Sequence, residues 1–210
     1  MRGLYYSGVV AAGLTVVCDL CLVFDLLGRG LFGGLLWPGL FLLAWLAVRA
    51  WALGVLGLWL WRRAGDSVGA ALGALNVAVG VAALLLFAED FYGVAGFART
   101  TLNQLVRWAD AADNVALMLL ALACMRPGLP QALGLRAFGT SLALVVAVYG
   151  LQELVGPIPF FLLTPDLLWA VQLLLHAVAF AVLTLLLWPR KTGADAARES
   201  APEQGASSLR

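Results

Sequence analysis

Charge is what this chain lacks most. Asp, Glu, Lys and Arg make up 12% of its 210 residues, whereas a soluble globular domain carries about 25%. Hydrophobic residues make up 63%, against about 45–50% in such a domain. No soluble fold of this size hides so much apolar surface. The formal net charge is +1, with no dense basic patch and no nucleic-acid motif, so nucleic acid is excluded as a partner. Cysteine is scarce. Cys18, Cys21 and Cys124 form an odd set inside apolar runs, which argues against an extracellular disulfide framework. Histidine occurs once, at position 176. A lone histidine has no matching ligand set, so no metal and no cofactor is expected. The sequence also lacks a phosphate-binding glycine loop, a zinc-protease motif and a nucleophile elbow.

What it has instead is long apolar runs. A helix needs roughly 20 mostly apolar residues to cross the hydrocarbon of a bilayer. Six stretches qualify: 4–27, 35–61, 68–87, 106–125, 137–155 and 167–188. The first exceeds the roughly 7–15 residues of a signal-peptide apolar region and reads as a first span. The runs are continuous, without period-2 alternation, so they are helices rather than barrel strands. The expected fold is all-α: a polytopic integral membrane bundle of about six transmembrane helices. It forms a single domain over 1–190, followed by a polar, disordered cytoplasmic tail over 191–210.

Basic residues orient the chain. With six alternating spans, Arg2, Arg62, Arg63, Arg126, Arg136, Arg190 and Lys191 share one side, and Arg29, Arg99 and Arg107 the other. The positive-inside rule then puts both termini in the cytoplasm. Trp37, Trp108 and Trp169 near outer ends, and Trp61 and Trp188 near inner ends, suit the two interfaces. Abundant Gly and Ala, and arginine in preference to lysine, point to a bacterial inner membrane.

Three short pieces punctuate the outer side: Asp25-Leu-Leu-Gly28, Asp90-Phe-Tyr-Gly93 and Glu153-Leu-Val-Gly156. Each ends an outgoing span, and each is followed by a return span that closes on basic residues. The chain therefore reads as three outward-pointing hairpins. Glycine is the usual helix terminator, so punctuation explains the pieces; their near-equal spacing also fits a threefold duplication.

Ionisable groups inside a span are costly and mark candidate sites. Asp19 and Arg49 lie deepest and are candidates for an ion pair between spans one and two. In span four, Asn103, Arg107, Asp110 and Asn114 recur at helical spacing on one face, with Asp113 beside it. Together with Glu89 and Asp90 they outline an outward-facing acidic vestibule that would attract a cation or basic solute. The alternative is an interfacial amphipathic helix over 96–112. Asn76, Gln172 and His176 are expected to make interhelical polar contacts. Gly69 and Gly73 form a small-residue seam in span three. The Cys18-Asp-Leu-Cys21 motif is placed where a thiolate is disfavoured.

Three functions follow as expectations. The first is transport or solute and ion binding at the acidic vestibule. The second is a non-catalytic subunit that packs with partner membrane proteins, as a homo-oligomer or in a larger complex. The third is a membrane enzyme acting on thiols or lipids. In every case the lipid bilayer is the first partner.

Overall fold

The computed structural model describes residues 2–26, 36–93, 98–155 and 165–188. Among these residues there are six long helices and no strand. They are α1 (Arg2–Phe24), α2 (Leu36–Ala64), α3 (Ser67–Tyr92), α4 (Arg99–Cys124), α5 (Ala132–Val155) and α6 (Pro165–Leu187). Five are long and apolar enough to cross a membrane; α4 is the exception. Helix is the element that such runs can form in lipid, because each segment satisfies its own backbone amides. The tail 191–210, Arg29, and the glycines expected to end α1 and α5 (Gly28 and Gly156) lie outside the described residues.

Helix ends follow local chemistry. Between α2 and α3 the chain reverses over Gly65 and Asp66. Gly65 takes φ +62°. Its N–H donates to the Trp61 carbonyl at 2.9 Å, and Asp66 N–H donates to the Leu60 carbonyl at 3.3 Å. This pattern satisfies the last carbonyls of a helix and favours glycine at the left-handed position. Gly93, at φ +61°, ends α3 with its N–H on the Glu89 carbonyl, as punctuation by glycine requires.

Several helices outrun their hydrophobic stretch. α3 continues past residue 87 to Tyr92, α4 starts at Arg99 rather than 106, and α5 starts at Ala132 rather than 137. Hydropathy marks the length of hydrocarbon crossed, whereas a helix goes on until its backbone is capped. In α4, residues 99–112 run unbroken into 113–124. The described part of 96–112 is the first half of one helix, not a separate interfacial element.

The helices form a closed ring in chain order, each packed on its sequence neighbours and α6 closing against α1. The most extensive contact joins α2 and α3, which belong to different hairpins in the sequence reading, so the ring is not divided into three units. At the end that holds the start of α1 and the end of α6, the interior is closely packed. Leu53, Leu56 and Leu60 of α2, Leu120 and Cys124 of α4, Leu135, Phe138 and Leu142 of α5, and Phe180 and Leu183 of α6 pack into one cluster. Asp66 joins the α2–α3 turn to the α4–α5 connection through Arg126, 2.5 Å away.

Polarity is inverted relative to a soluble protein. Asp19, Arg49, Asn76, Asp113, Asn114 and His176 are buried, while Leu85 (63% exposed) and Leu185 (70%) face outward. Such an arrangement suits a lipid surround and a polar interior.

Candidate functional site

Opposite the solid end, the ring encloses a cavity of about 410 Å³. This lies within the size range of small-molecule sites, about 300–1,000 Å³. All six helices contribute. Helical spacing explains how each presents a face. α2 sends in Trp45 and Arg49, four residues apart. α4 sends in Arg107, Asp110, Asp113 and Asn114. α5 offers Tyr149, Gln152 and Glu153; α6 offers Trp169, Gln172 and His176. Leu22 of α1 and Phe87 of α3 complete apolar walls.

Two buried ionic groupings lie at the cavity. In the first, one guanidinium nitrogen of Arg49, Nη2, donates to both Asp113 carboxylate oxygens at 2.7 Å. The Arg49 guanidinium also stands 4.9 Å from the centre of the Trp45 ring, within cation–π range. The pair links α2 to α4 across the bundle. In the second, fully buried Asp19 accepts from Trp45 Nε1 at 2.8 Å, and its other oxygen lies 2.7 Å from His176 Nδ1. His176 in turn lies against Phe180, ring centres 4.5 Å apart. Charges held this deep need such partners, because an unpaired one would carry its full desolvation penalty.

The expected pairing of Asp19 with Arg49 is therefore not what the fold makes. Arg49 goes to α4 and Asp19 to α6, with Trp45 between them. Residue counting gives depth along a helix, and it placed Asp19 roughly 12 Å and Arg49 roughly 20 Å from their outer ends. It cannot give the direction in which each side chain leaves the helix.

Of the other candidates, Arg107, Asp110, Asp113, Asn114, Gln172 and His176 come together at the cavity. Tyr149, Asp110 and Glu153 are close enough to act electrostatically on one another. Asn114 Nδ2 donates to the Asp110 carbonyl at 2.9 Å. Glu89 and Asp90 do not line the cavity: Glu89 is buried and Asp90 exposed on the last turns of α3. They part because adjacent helical positions point about 100° apart. Asn76 makes the interhelical contact expected of it, donating to the Ala116 carbonyl of α4 at 3.1 Å. Cys18 and Cys21 are free thiols, and neither lines the cavity.

The site residues not picked out from sequence are Trp45, Tyr149, Gln152, Glu153 and Trp169. The i, i+3, i+4 spacing of Tyr149, Gln152 and Glu153 was a readable signal. It was obscured because Glu153 also sits where a helix leaves the membrane. Trp169 was readable only as an interfacial anchor, which is the commoner use of that residue.

Compared with known protein families, curated proteins and solved structures, the chain matches none.

Proposed function

We propose that the chain is a six-span bacterial inner-membrane protein of the transport or solute-binding type, with both termini cytoplasmic. Its cargo carries a positive charge and occupies the cavity. α4 counts as the sixth span in this reading. Asp113 and Asn114 are turned inward and buried, Arg107 and Asp110 line the cavity, and the outward positions Val115, Leu119 and Leu122 are apolar. Of the charges that spoil its hydropathy, Asp113 is buried inside the bundle and Arg107 and Asp110 line the cavity, where intramembrane charges belong.

One observation carries the choice of cargo. After Arg49 and Asp113 neutralise each other, Asp110 and Glu153 face one further arginine, Arg107, among the described residues that line the cavity. The surplus is negative, in a cleft whose apolar walls strengthen electrostatic selection. The aromatic ring of Trp169, which lines the cavity, suits an organic cation. The solid packing at the opposite end makes this a one-sided pocket, as solute capture requires.

The test uses the full chain purified and reconstituted in nanodiscs. Small organic cations should raise its unfolding temperature, and anions of matched size should not. The Asp110→Asn/Glu153→Gln double variant should lose the cation effect while remaining folded. Equal stabilisation by anions, or an unchanged response in the double variant, would remove the proposal.

A further inference from the structure

We infer that the cargo is an amphiphile of the surrounding bilayer with an ammonium-bearing head, and that it enters sideways between α4 and α5. This rests on the cavity reading above and adds to it both the route and the second half of the molecule bound.

The route is visible on the outside of these two helices. At the solid end they touch: a Cβ added to Gly139 of α5 would lie 2.7 Å from the Ala121 carbonyl of α4. Further along α5, a Cβ added to Gly150 would meet nothing within 4 Å. Glycine inside a helix is unfavourable relative to alanine. Close packing accounts for Gly139, but no contact accounts for Gly150. Beside Gly150 a groove of about 370 Å³ runs along the outside of the ring, walled by Val115, Met118, Leu119 and Val146. Two further residues, Asn114 and Tyr149, line both this groove and the central cavity. The partition between lipid face and cavity is thus one side chain thick on each helix. A second outer groove, of about 510 Å³ between α1 and α2, shares no lining residue with the cavity, so grooves on this ring do not reach the interior as a matter of course.

The chemistry changes along this path in the order that an amphiphile requires. The groove is apolar apart from its two shared residues. Beside Tyr149 stand Asp110 and Glu153. His176 also lines the cavity, and its buried Nε2 has no partner among the described residues. A primary ammonium carries three N–H donors, enough to serve the Asp110 and Glu153 carboxylates together. The alkyl chain then lies against Val146 and Leu119, in the gap that Gly150 leaves open.

The experiment titrates nanodisc-embedded protein with dodecylamine, dodecanol and laurate, and with benzylamine as a water-soluble amine, following binding by calorimetry. Dodecylamine should bind at least about tenfold more tightly than dodecanol or laurate. Gly150→Trp, which plugs the groove without touching a carboxylate, should weaken dodecylamine by about tenfold or more and leave benzylamine unchanged. Val146→Trp, on the groove wall, should do the same and covers a failure of the first variant to fold. Dodecylamine binding that survives both plugs, or equal binding of the three dodecyl compounds, overturns the inference. If benzylamine binds as tightly as dodecylamine, the lateral route is lost and the cationic cavity stands. If neither amine binds, both are lost.

Discussion

Between α2 and α3 the backbones meet. A Cβ on Gly73 would lie 2.6 Å from the Gly57 Cα, and one on Gly80 would lie 2.8 Å from the Ala50 Cβ. Between α4 and α5 the same closeness is reached only at Gly139, and eleven residues further along α5 the contact is gone at Gly150. Both seams contain glycine at helical spacing, yet one closes along its length and the other does not. What differs is what stands opposite. Gly57 faces Gly73, so two backbones approach and dispersion contacts accumulate. Gly150 faces the part of α4 that carries Asn114 and Asp113, whose polar side chains turn inward to the cavity. The middle of α4 is held instead from across the ring by Arg49 on Asp113, and from α3 by Asn76 on the Ala116 carbonyl.

The sharpest way to break this contrast is to remove the tie that holds α4. Arg49→Met leaves the Asp113 carboxylate buried and unpaired, and should cost about 3–5 kcal/mol in reversible unfolding in detergent. The double variant Arg49→Met/Asp113→Leu should recover much of the loss, because the penalty comes from the orphaned charge. An unaffected single variant would mean that α4 is held by something else. Next in size, Gly73→Ala forces a methyl group into the α2–α3 contact and should destabilise by about 1–3 kcal/mol. Gly150→Ala should do the opposite, stabilising by about 0.5–1 kcal/mol, since it gains helix propensity and meets no neighbour. Finding that both changes destabilise alike would erase the distinction between the seams. The smallest effect is expected of Asn76→Leu. An interhelical hydrogen bond in a membrane protein is worth about 0.6 kcal/mol on average, and here the loss is offset in part because the Asn76 Oδ1 acceptor is already without a partner.

How much of this was legible depended on whether a feature was periodic along one helix or shared between two. The five apolar spans were readable to within a few residues, because a bilayer demands a run of set length. The inward stripe of α4 was readable as well: Arg107, Asp110 and Asn114 repeat every three to four residues, and a helix puts such residues on one face. Glu89 and Asp90 illustrate the failure. Both were assigned to the vestibule because they sit at the right height, and neither lines the cavity. Asp19 illustrates it again. Its depth was correct, but its partners came from α6 and from Trp45 rather than from Arg49. Asp66, an acid near a span end on the basic side, finds its partner in Arg126.

By itself, then, the amino-acid order determined that this is an all-helical chain of membrane character, and which residues lie at which level along each helix. These follow from quantities linear in residue number: hydrocarbon thickness, helical rise and the demand that every backbone amide be satisfied within its own segment. The tertiary structure alone decided that the ring closes in chain order, that Arg49 reaches Asp113, that Asp19 holds His176, and that nothing crowds Gly150. These depend on how each helix is rotated about its own axis, and that rotation is set jointly by the packing of all its neighbours.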